Sequence, residues 1–318
     1  MKVIITGSAG FIGSNTADLF LRNGHTVIGI DNFDSSLYPR KLKEENIAGA
    51  ITNPLFTFIE GDILDKDLYA KLPHDADCVI HLAAKAGVRP SIQNPSAYAE
   101  TNIRGTLNIL EWMKQNQIRK MVFASSSSIY GNSIKIPFSE SDNTDNPISP
   151  YAATKKACEL INYTYHHLHA MDIVNLRFFT VFGPRQRPDL AIRKFIDLIA
   201  EDKPVVLFGN GDTARDYTFI DDIADGIYKA FQYTMSGNNI YEIVNLGNNN
   251  PVKLIDMVNS IYEIMGKTPN IRYEPMQPGD VDMTYADIEK AKRILKYTPS
   301  IAFKAGLMRY IQWKDLNV

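Results

Sequence analysis

The chain begins with a short β-branched run, Lys2-Val3-Ile4-Ile5, and turns at once into Thr6-Gly7-Ser8-Ala9-Gly10-Phe11-Ile12-Gly13. Few local patterns restrict a fold as strongly. Glycines at 7, 10 and 13 permit a tight turn, close backbone approach to a pyrophosphate, and close packing of the next helix on the strand. The helix N-terminus then aims its free N–H groups and positive dipole end at the phosphates. Elsewhere three glycines at this spacing can be a plain loop. Here the strand–turn–helix setting points to a dinucleotide-binding turn.

The rest of the first half supports that setting. Strand candidates are Lys2–Ile5, Thr26–Ile30, Phe56–Glu60, Cys78–His81, Met121–Ser125 and Val174–Phe178. Between them lie segments of helical period, including Phe11–Asn23, Tyr98–Gln115 and Tyr151–Met171. Such alternation predicts an α/β fold, a Rossmann-type doubly wound parallel sheet with helices on both faces. The strands are nearly all apolar, as strands buried on both sides should be. After Phe179 the pattern loosens into short elements broken by Gly183-Pro184, Pro188, Pro204, Gly209, Gly211, Gly247 and Pro251, and long irregular stretches in a compact domain usually bind something. The expected division is therefore a nucleotide-binding unit over 1–178 and a smaller α/β substrate unit over 179–318. The segments Ile223–Gln232 and Tyr241–Asn245 are candidates to return to the first sheet.

Composition narrows the class. With 318 residues, 45% hydrophobic and 22% charged, and a formal net charge of −2, the chain is neither disordered nor basic enough to suggest nucleic-acid binding. No apolar stretch approaches the ~20 residues needed to span a bilayer. The two cysteines, Cys78 and Cys158, sit in apolar segments and read as buried thiols of a reducing compartment, so a cytoplasmic protein is expected.

Asp31 ends the second strand, where an acidic side chain accepts hydrogen bonds from an adenosine ribose and repels a 2′-phosphate, favouring NAD over NADP. A solvated turn aspartate is the plainer reading, and Arg40 and Lys41 keep NADP open. Gly61-Asp62-Ile63 and His81-Leu82-Ala83-Ala84 follow the third and fourth strands, at the sheet edge where open α/β folds bind ligands.

Tyr151 and Lys155 are one helical turn apart and share a face. Ser149-Pro150 supplies an N-cap and a proline at the first helical position, placing both residues in the first turns of that helix. A tyrosine titrates near pKa ~10 and is a poor base at neutral pH, but an adjacent ammonium and a positive nicotinamide ring stabilise its phenolate. The same spacing recurs at Tyr310 and Lys314, read as an amphipathic surface helix. Only Tyr151 follows a strand ending in Ser125-Ser126-Ser127-Ser128-Ile129-Tyr130-Gly131, whose hydroxyls can bind the oxygen that the phenolate deprotonates. His166, His167 and His169 cluster near a helix C-terminus, where cations are favourable, and are read as structural rather than metal-binding.

Together, the glycine turn, His81–Ala84, Ser125–Gly131 and the Tyr151/Lys155 pair resemble the extended short-chain dehydrogenase/reductase family. The resemblance continues through Arg177–Asp189, Arg215–Asp222 and Met276–Val281. Within the family the chain looks most like the nucleotide-sugar epimerases that act on UDP-glucuronate. That resemblance implies tightly held NAD, recycled within each turnover, and a catalytic set of Tyr151, Lys155 and Ser126. It implies that NAD contacts the glycine turn, Asp31, Asn32, Asp62, Ile63, Leu82, Ala83, Ala84, Lys85 and Asn102. On the UDP-sugar side it implies Arg89, Ser127, Ser128, Thr180, Gln186, Arg187, Val206, Phe208, Arg215 and Asp280. Arg215 is the candidate for the pyrophosphate, because a guanidinium fork pairs phosphate oxygens two at a time. Val206 and Phe208 form a candidate uracil slot, and Arg187 is the candidate to close the site over the sugar, with Asp280 its candidate partner.

A 4-keto sugar made by hydride removal can rotate and be reduced on its other face, lose water, or lose carbon dioxide. Related dehydratases carry an Asp-Glu pair after the active-site serine or threonine, and decarboxylases a Glu. Here those positions are Ser127 and Ser128, so 4-epimerisation is expected. Thr180 stands where galactose-type epimerases have Asn, which points to a uronate. A neutral UDP-glucose or UDP-N-acetylglucosamine epimerase is the enzyme alternative, and a non-catalytic NAD sensor the remote one. In relatives, helices near 94–116 and 149–169 form a dimeric four-helix bundle, so a homodimer is expected.

Overall fold

The computed structural model describes residues 1–275 and 283–316. Seven strands form the central sheet: β1 (Lys2–Thr6), β2 (Thr26–Asp31), β3 (Phe56–Glu60), β4 (Cys78–His81), β5 (Lys120–Ser126), β6 (Asp172–Phe178) and, much later in the chain, β10 (Tyr241–Leu246). Their order is β10-β6-β5-β4-β1-β2-β3, and every neighbouring pair is parallel. The order reverses between β1 and β4, so the carboxyl ends of these two strands flank the crevice where such sheets bind ligands. Residues of the inner strands are buried on both faces, with Val3, Ile4 and Ile5 fully enclosed between the two helical layers, whereas the edge strand β3 is largely part-buried or exposed.

Smaller strands sit at the carboxyl edge of that sheet. They are β7 (Thr180–Phe182), β8 (Val205–Phe208), β9 (Ala214–Phe219), β11 (Pro251–Lys253) and β12 (Ile271–Glu274). The first, third and fourth of these form one small sheet in the order β11-β9-β7, and β8 pairs with β12. The strand after residue 240 thus joins the central sheet beside β6, with Tyr241 opposite Ile173 and Leu246 opposite Phe178.

Two helices differ from the sequence pattern. The periodic run Tyr98–Gln115 is not one regular helix: Pro95–Tyr98 leads into a π-helical stretch, Ala99–Arg104, and then the α-helix Gly105–Gln115. The wider turn rotates Asn102 into the interior, where it is fully buried. Gly105 allows the helix to lie against the sheet edge, since a Cβ there would come within 2.4 Å of Ile63 Cδ1. The helix Phe303–Asp315 is amphipathic, but it is not a surface element at Tyr310. That ring is wholly buried beside Leu307 and Ile311, and Lys314 pairs with Asp197.

The helix Pro150–His169 starts as its sequence suggests, with Ser149 Oγ accepting from the Ala152 N–H at 3.2 Å and proline in the first turn. It ends where Ala170 takes a left-handed φ of 50°. Its three histidines engage separate groups: the ring of His166 bonds the Met171 carbonyl, His167 stacks on Tyr163, and His169 packs on Tyr165. Both cysteines are buried and free.

Candidate active site

At the carboxyl edge of the sheet lies a cavity of about 370 Å³. Its floor is the glycine turn. Gly7 has φ +72°, and a Cβ there would stand 2.8 Å from the Ala83 nitrogen; a Cβ on Gly13 would stand 2.0 Å from the Gly7 carbonyl oxygen. Neither position admits a side chain, and the bare backbone left behind is the cradle a pyrophosphate needs.

Asp31 closes one end. Its Oδ1 accepts from the Phe33 N–H at 2.8 Å and its Oδ2 from the Ala9 N–H at 3.2 Å, which fixes the carboxylate against the glycine turn. Lys43 Nζ lies 3.4 Å away, also buried. Of the cations flagged in sequence, Arg40 is instead clamped by Glu44 and Glu60, and Lys41 faces solvent near Glu45. Lys43 and Tyr38 both line the cavity and were missed. Lys43 falls three residues after Arg40 on the inner face of its helix, which is the only sequence signal for it. Asn32 donates to Asp62 Oδ2 at 2.8 Å, joining the ends of β2 and β3.

Across the switch point, the N–H groups of Leu82 and Ala83 both donate to Thr6 Oγ1, at 3.2 and 3.1 Å. Lys85 donates its N–H to Asn102 Oδ1 at 2.8 Å, and Asn102 Nδ2 returns to the Lys85 carbonyl and to Thr154 Oγ1, both at 3.0 Å. Asn102 itself does not line the cavity; it clamps the loop that does. Ile63, Ala84 and Lys85 line it directly, and Lys85 Nζ reaches Asp34 across the mouth.

Tyr151, Lys155 and Ser126 meet deep in the same cavity. Lys155 Nζ donates to the Ala124 carbonyl at 2.7 Å and lies 5.0 Å over the Phe123 ring. Burial pushes its ammonium down to about 8. In the chain without cofactor, burial raises the Tyr151 phenol above its ordinary value, opposed by a hydrogen bond with Ser126 and the positive field of Arg187. Nearby His81 is held neutral, its imidazole pushed down to about 3 by burial and by the Lys155 charge. Ser126 Oγ also accepts from the Ser128 N–H at 3.2 Å.

The remaining candidates divide by place. Thr180 and Arg187 line the cavity, and Arg187 forks onto Asp189 at 2.9 and 2.7 Å. Ser127 and Ser128 form the short 3-10 turn just after β5. Gln186 is buried and donates to the Val181 carbonyl at 3.1 Å. Arg89, Val206, Phe208 and Arg215 lie outside the cavity lining: Arg89 sits 5.9 Å over the Phe208 ring, Val206 is on β8, and Arg215 on β9 donates to the Ala214 carbonyl at 2.9 Å. Asp280, with the whole stretch Met276–Val281, lies outside the described residues, as does any closure of Arg187 on it. Among the described residues no group of three His, Cys, Asp or Glu could hold a metal.

A glycine cradle, an anchored acidic side chain at the end of β2, and a Tyr-Lys-Ser set with Lys155 and Ser126 buried and Tyr151 half-buried, all lining one cavity, fit a nicotinamide dinucleotide. Residues 4–310 match the family described as GDP-mannose 4,6 dehydratase. The chain belongs to this family. As expected from its motifs, it is an extended short-chain dehydrogenase/reductase of the nucleotide-sugar kind. A UDP-glucuronate 4-epimerase from Thermodesulfobacterium geofontis is 42% identical over 99% of this chain and 96% of its own length. The crystal structure of a UDP-glucuronic acid 4-epimerase from Bacillus cereus, in complex with UDP-glucuronic acid and NAD, superposes with a TM-score of 0.94 at 38% identity over 100% of both chains. A UDP-N-acetylglucosamine 4-epimerase from Methanobrevibacter ruminantium, solved with UDP-N-acetylmuramic acid, gives 0.90 at 31% identity, over 100% of this chain and 99% of that one. The family takes its name from a dehydratase, and in this chain Ser127 and Ser128 follow Ser126.

Proposed function

We propose that this chain is an NAD-dependent 4-epimerase that interconverts UDP-glucuronate and UDP-galacturonate through a 4-keto intermediate. One observation carries the reading: hydroxyls accompany the Tyr151–Lys155–Ser126 set, with Thr180 lining the cavity and Ser127 and Ser128 in the turn just outside its lining, where Ser128 Oγ accepts from Ser126 Oγ at 3.1 Å. The carboxylates lining the cavity, Asp31, Asp34 and Asp62, belong instead to the β2 and β3 end. Among the described residues, a site so built can take a hydride from C4 and return it, and no carboxylate lines the cavity beside Tyr151 to drive elimination at C5 and C6.

NAD, when bound, supplies the hydride acceptor at C4 and the donor for its return. Gly7, Gly10, Phe11, Ile12 and Gly13 would hold its pyrophosphate, Asp31 and Asn32 its adenosine ribose, and Asp62, Ile63, Leu82–Lys85 the walls around it. Tyr151 removes the proton of the C4 hydroxyl and later gives it back, and Ser126 donates to the same oxygen. Lys155, protonated below about pH 8, stabilises the phenolate. Arg215 and Arg89 take the diphosphate, Val206 and Phe208 flank the uracil, and Arg187 and Gln186 shape the sugar end. In this division the NAD unit is 1–178, completed by about 223–245, and 179–318 is the nucleotide-sugar unit.

We further read the protein as a cytoplasmic homodimer. Cys78 and Cys158 are reduced thiols. No helix among the described residues is long and apolar enough to cross a membrane. Leu160, Tyr163 and Leu168 leave an apolar stripe on the helix Pro150–His169, exposed by 58, 52 and 68%, which a second copy's matching helix would cover.

Proton NMR of the purified protein with NAD and UDP-glucuronate tests the reaction. Appearance of UDP-galacturonate without accumulating NADH is expected. Turnover of UDP-glucose or its N-acetylamino analogue alone would move the assignment to a neutral-sugar epimerase, and a pentose product would mean decarboxylation.

A further inference from the structure

Tyr130 closes the turn that carries Ser127 and Ser128, and it takes no part in the mechanism above. Its hydroxyl accepts from Arg177 Nη1 at 2.9 Å and donates to Asn245 Oδ1 at 2.7 Å. Arg177 is fully buried and forks onto Glu159, with Nε to Oε1 at 3.0 Å and Nη2 to Oε2 at 2.8 Å. Glu159 also accepts from Ser125 Oγ at 2.6 Å and sits one helical turn beyond Lys155. A buried ion pair stripped of one partner leaves an uncompensated charge, so losing either Arg177 or Glu159 is costly.

The ring of Tyr130 adds a second tie. Its centroid lies 5.0 Å from that of Phe138 and 6.3 Å from that of Phe179, the residue immediately before Thr180. The next residue, Gly131, has φ +59°, and a Cβ there would stand 2.7 Å from the Asn146 carbonyl oxygen, so the turn is confined on that side too. One side chain therefore braces the serine turn after β5 and the start of β7 against a single buried charge cluster.

We propose that Tyr130 is a positioning residue that decides the outcome of the reaction, by holding Ser127, Ser128 and Thr180 where they fix the uronate carboxylate. The proposal rests on the uronate reading above. A 4-keto uronate is a β-keto acid. If its C5–C6 bond swings parallel to the C4 carbonyl π orbital, that bond breaks and carbon dioxide leaves. The bonding pair passes into the C4 oxygen as an enolate, C5 takes a proton, and the hydride first removed from C4 comes back to give a UDP-pentose. The sum is redox-neutral and consumes only a proton. A carboxylate held with the C5–C6 bond near the carbonyl plane cannot follow this course.

The test is the ratio of UDP-pentose to UDP-galacturonate formed from UDP-glucuronate, measured by proton NMR for wild type, Tyr130→Phe and Phe138→Leu, each supplied with NAD. A ratio per turnover does not change with the fraction of protein folded, so a purely structural role would leave it alone. We expect a rise of about tenfold or more for Tyr130→Phe and a smaller rise for Phe138→Leu, with KM little altered. If Tyr130→Phe yields no folded protein, Phe138→Leu decides by the same criterion. Wild-type ratios in the variants, whatever their kcat, overturn the proposal while leaving the uronate assignment standing. A wild type that makes no UDP-galacturonate overturns the assignment and the proposal together.

Discussion

Lys155 holds its charge where the surroundings penalise it. Between about pH 8 and 10.5 the unfolded chain keeps a proton on this lysine that the folded chain has lost, so the folded state gains stability from it as pH rises through that window. Relative to a Lys155→Met variant, wild type should therefore gain stability from pH 8 to 10.5, by about 3 kcal/mol in all, and run parallel outside that range. Denaturant melts across pH on both proteins check this, and parallel curves throughout would contradict the placement of the ammonium. Tyr151→Phe should leave the melt unchanged and lower kcat by at least about 10³-fold, in the upper part of the range for loss of a positioned proton carrier. The residues behind these predictions were legible because their signals are local: a spacing of four on a capped helix, three glycines on a turn. Lys43, Tyr38 and the Arg177–Tyr130 tie were not, because their meaning lies in contacts between segments far apart in the chain.

At the scale of elements, the helix that carries Tyr151 depends on its first turn. Ser149→Ala removes the cap on Ala152 and should cost about 1 kcal/mol, seen as a small fall in Tm with a measurable loss of kcat, since Tyr151, the proposed proton carrier, sits in the frayed turn. The π-helical stretch Ala99–Arg104 matters through Asn102. Asn102→Ala strips the Lys85 backbone of both its partners and should speed NAD release, with a stability loss of about 1–3 kcal/mol. Cofactor fluorescence during dilution reads the first effect and thermal melting the second. Strands of the main sheet could be read within a residue or two at each end, because each is a β-branched apolar run between turn residues. The π stretch could not. Its apolar spacing is that of an ordinary helix, and the extra residue per turn is set by the interior site that Asn102 fills. The Tyr310 helix is an amphipathic surface helix as its spacing suggests, but only the packing around Leu307 and Ile311 shows the Tyr310 ring itself enclosed.

For the whole molecule, the stripe at Leu160, Tyr163 and Leu168 predicts association. Sizing at high and low concentration should give twice the chain mass, and Leu160→Glu combined with Leu168→Glu should give a monomer that retains its fold by circular dichroism. A wild type that runs as a monomer at both concentrations would show that another ligand or nothing covers that face. The seventh strand carries a different consequence. The outer edge of β6 is completed only by β10, and everything from Thr180 to Ile240 is made between the two. On a translating ribosome, at ~5–20 residues per second, that edge therefore waits for several seconds with apolar residues on both faces and its backbone groups unpaired. During synthesis the sheet is thus most open to strand addition by a neighbouring nascent chain after β6 has emerged, and this is the interval in which a holding chaperone would matter most.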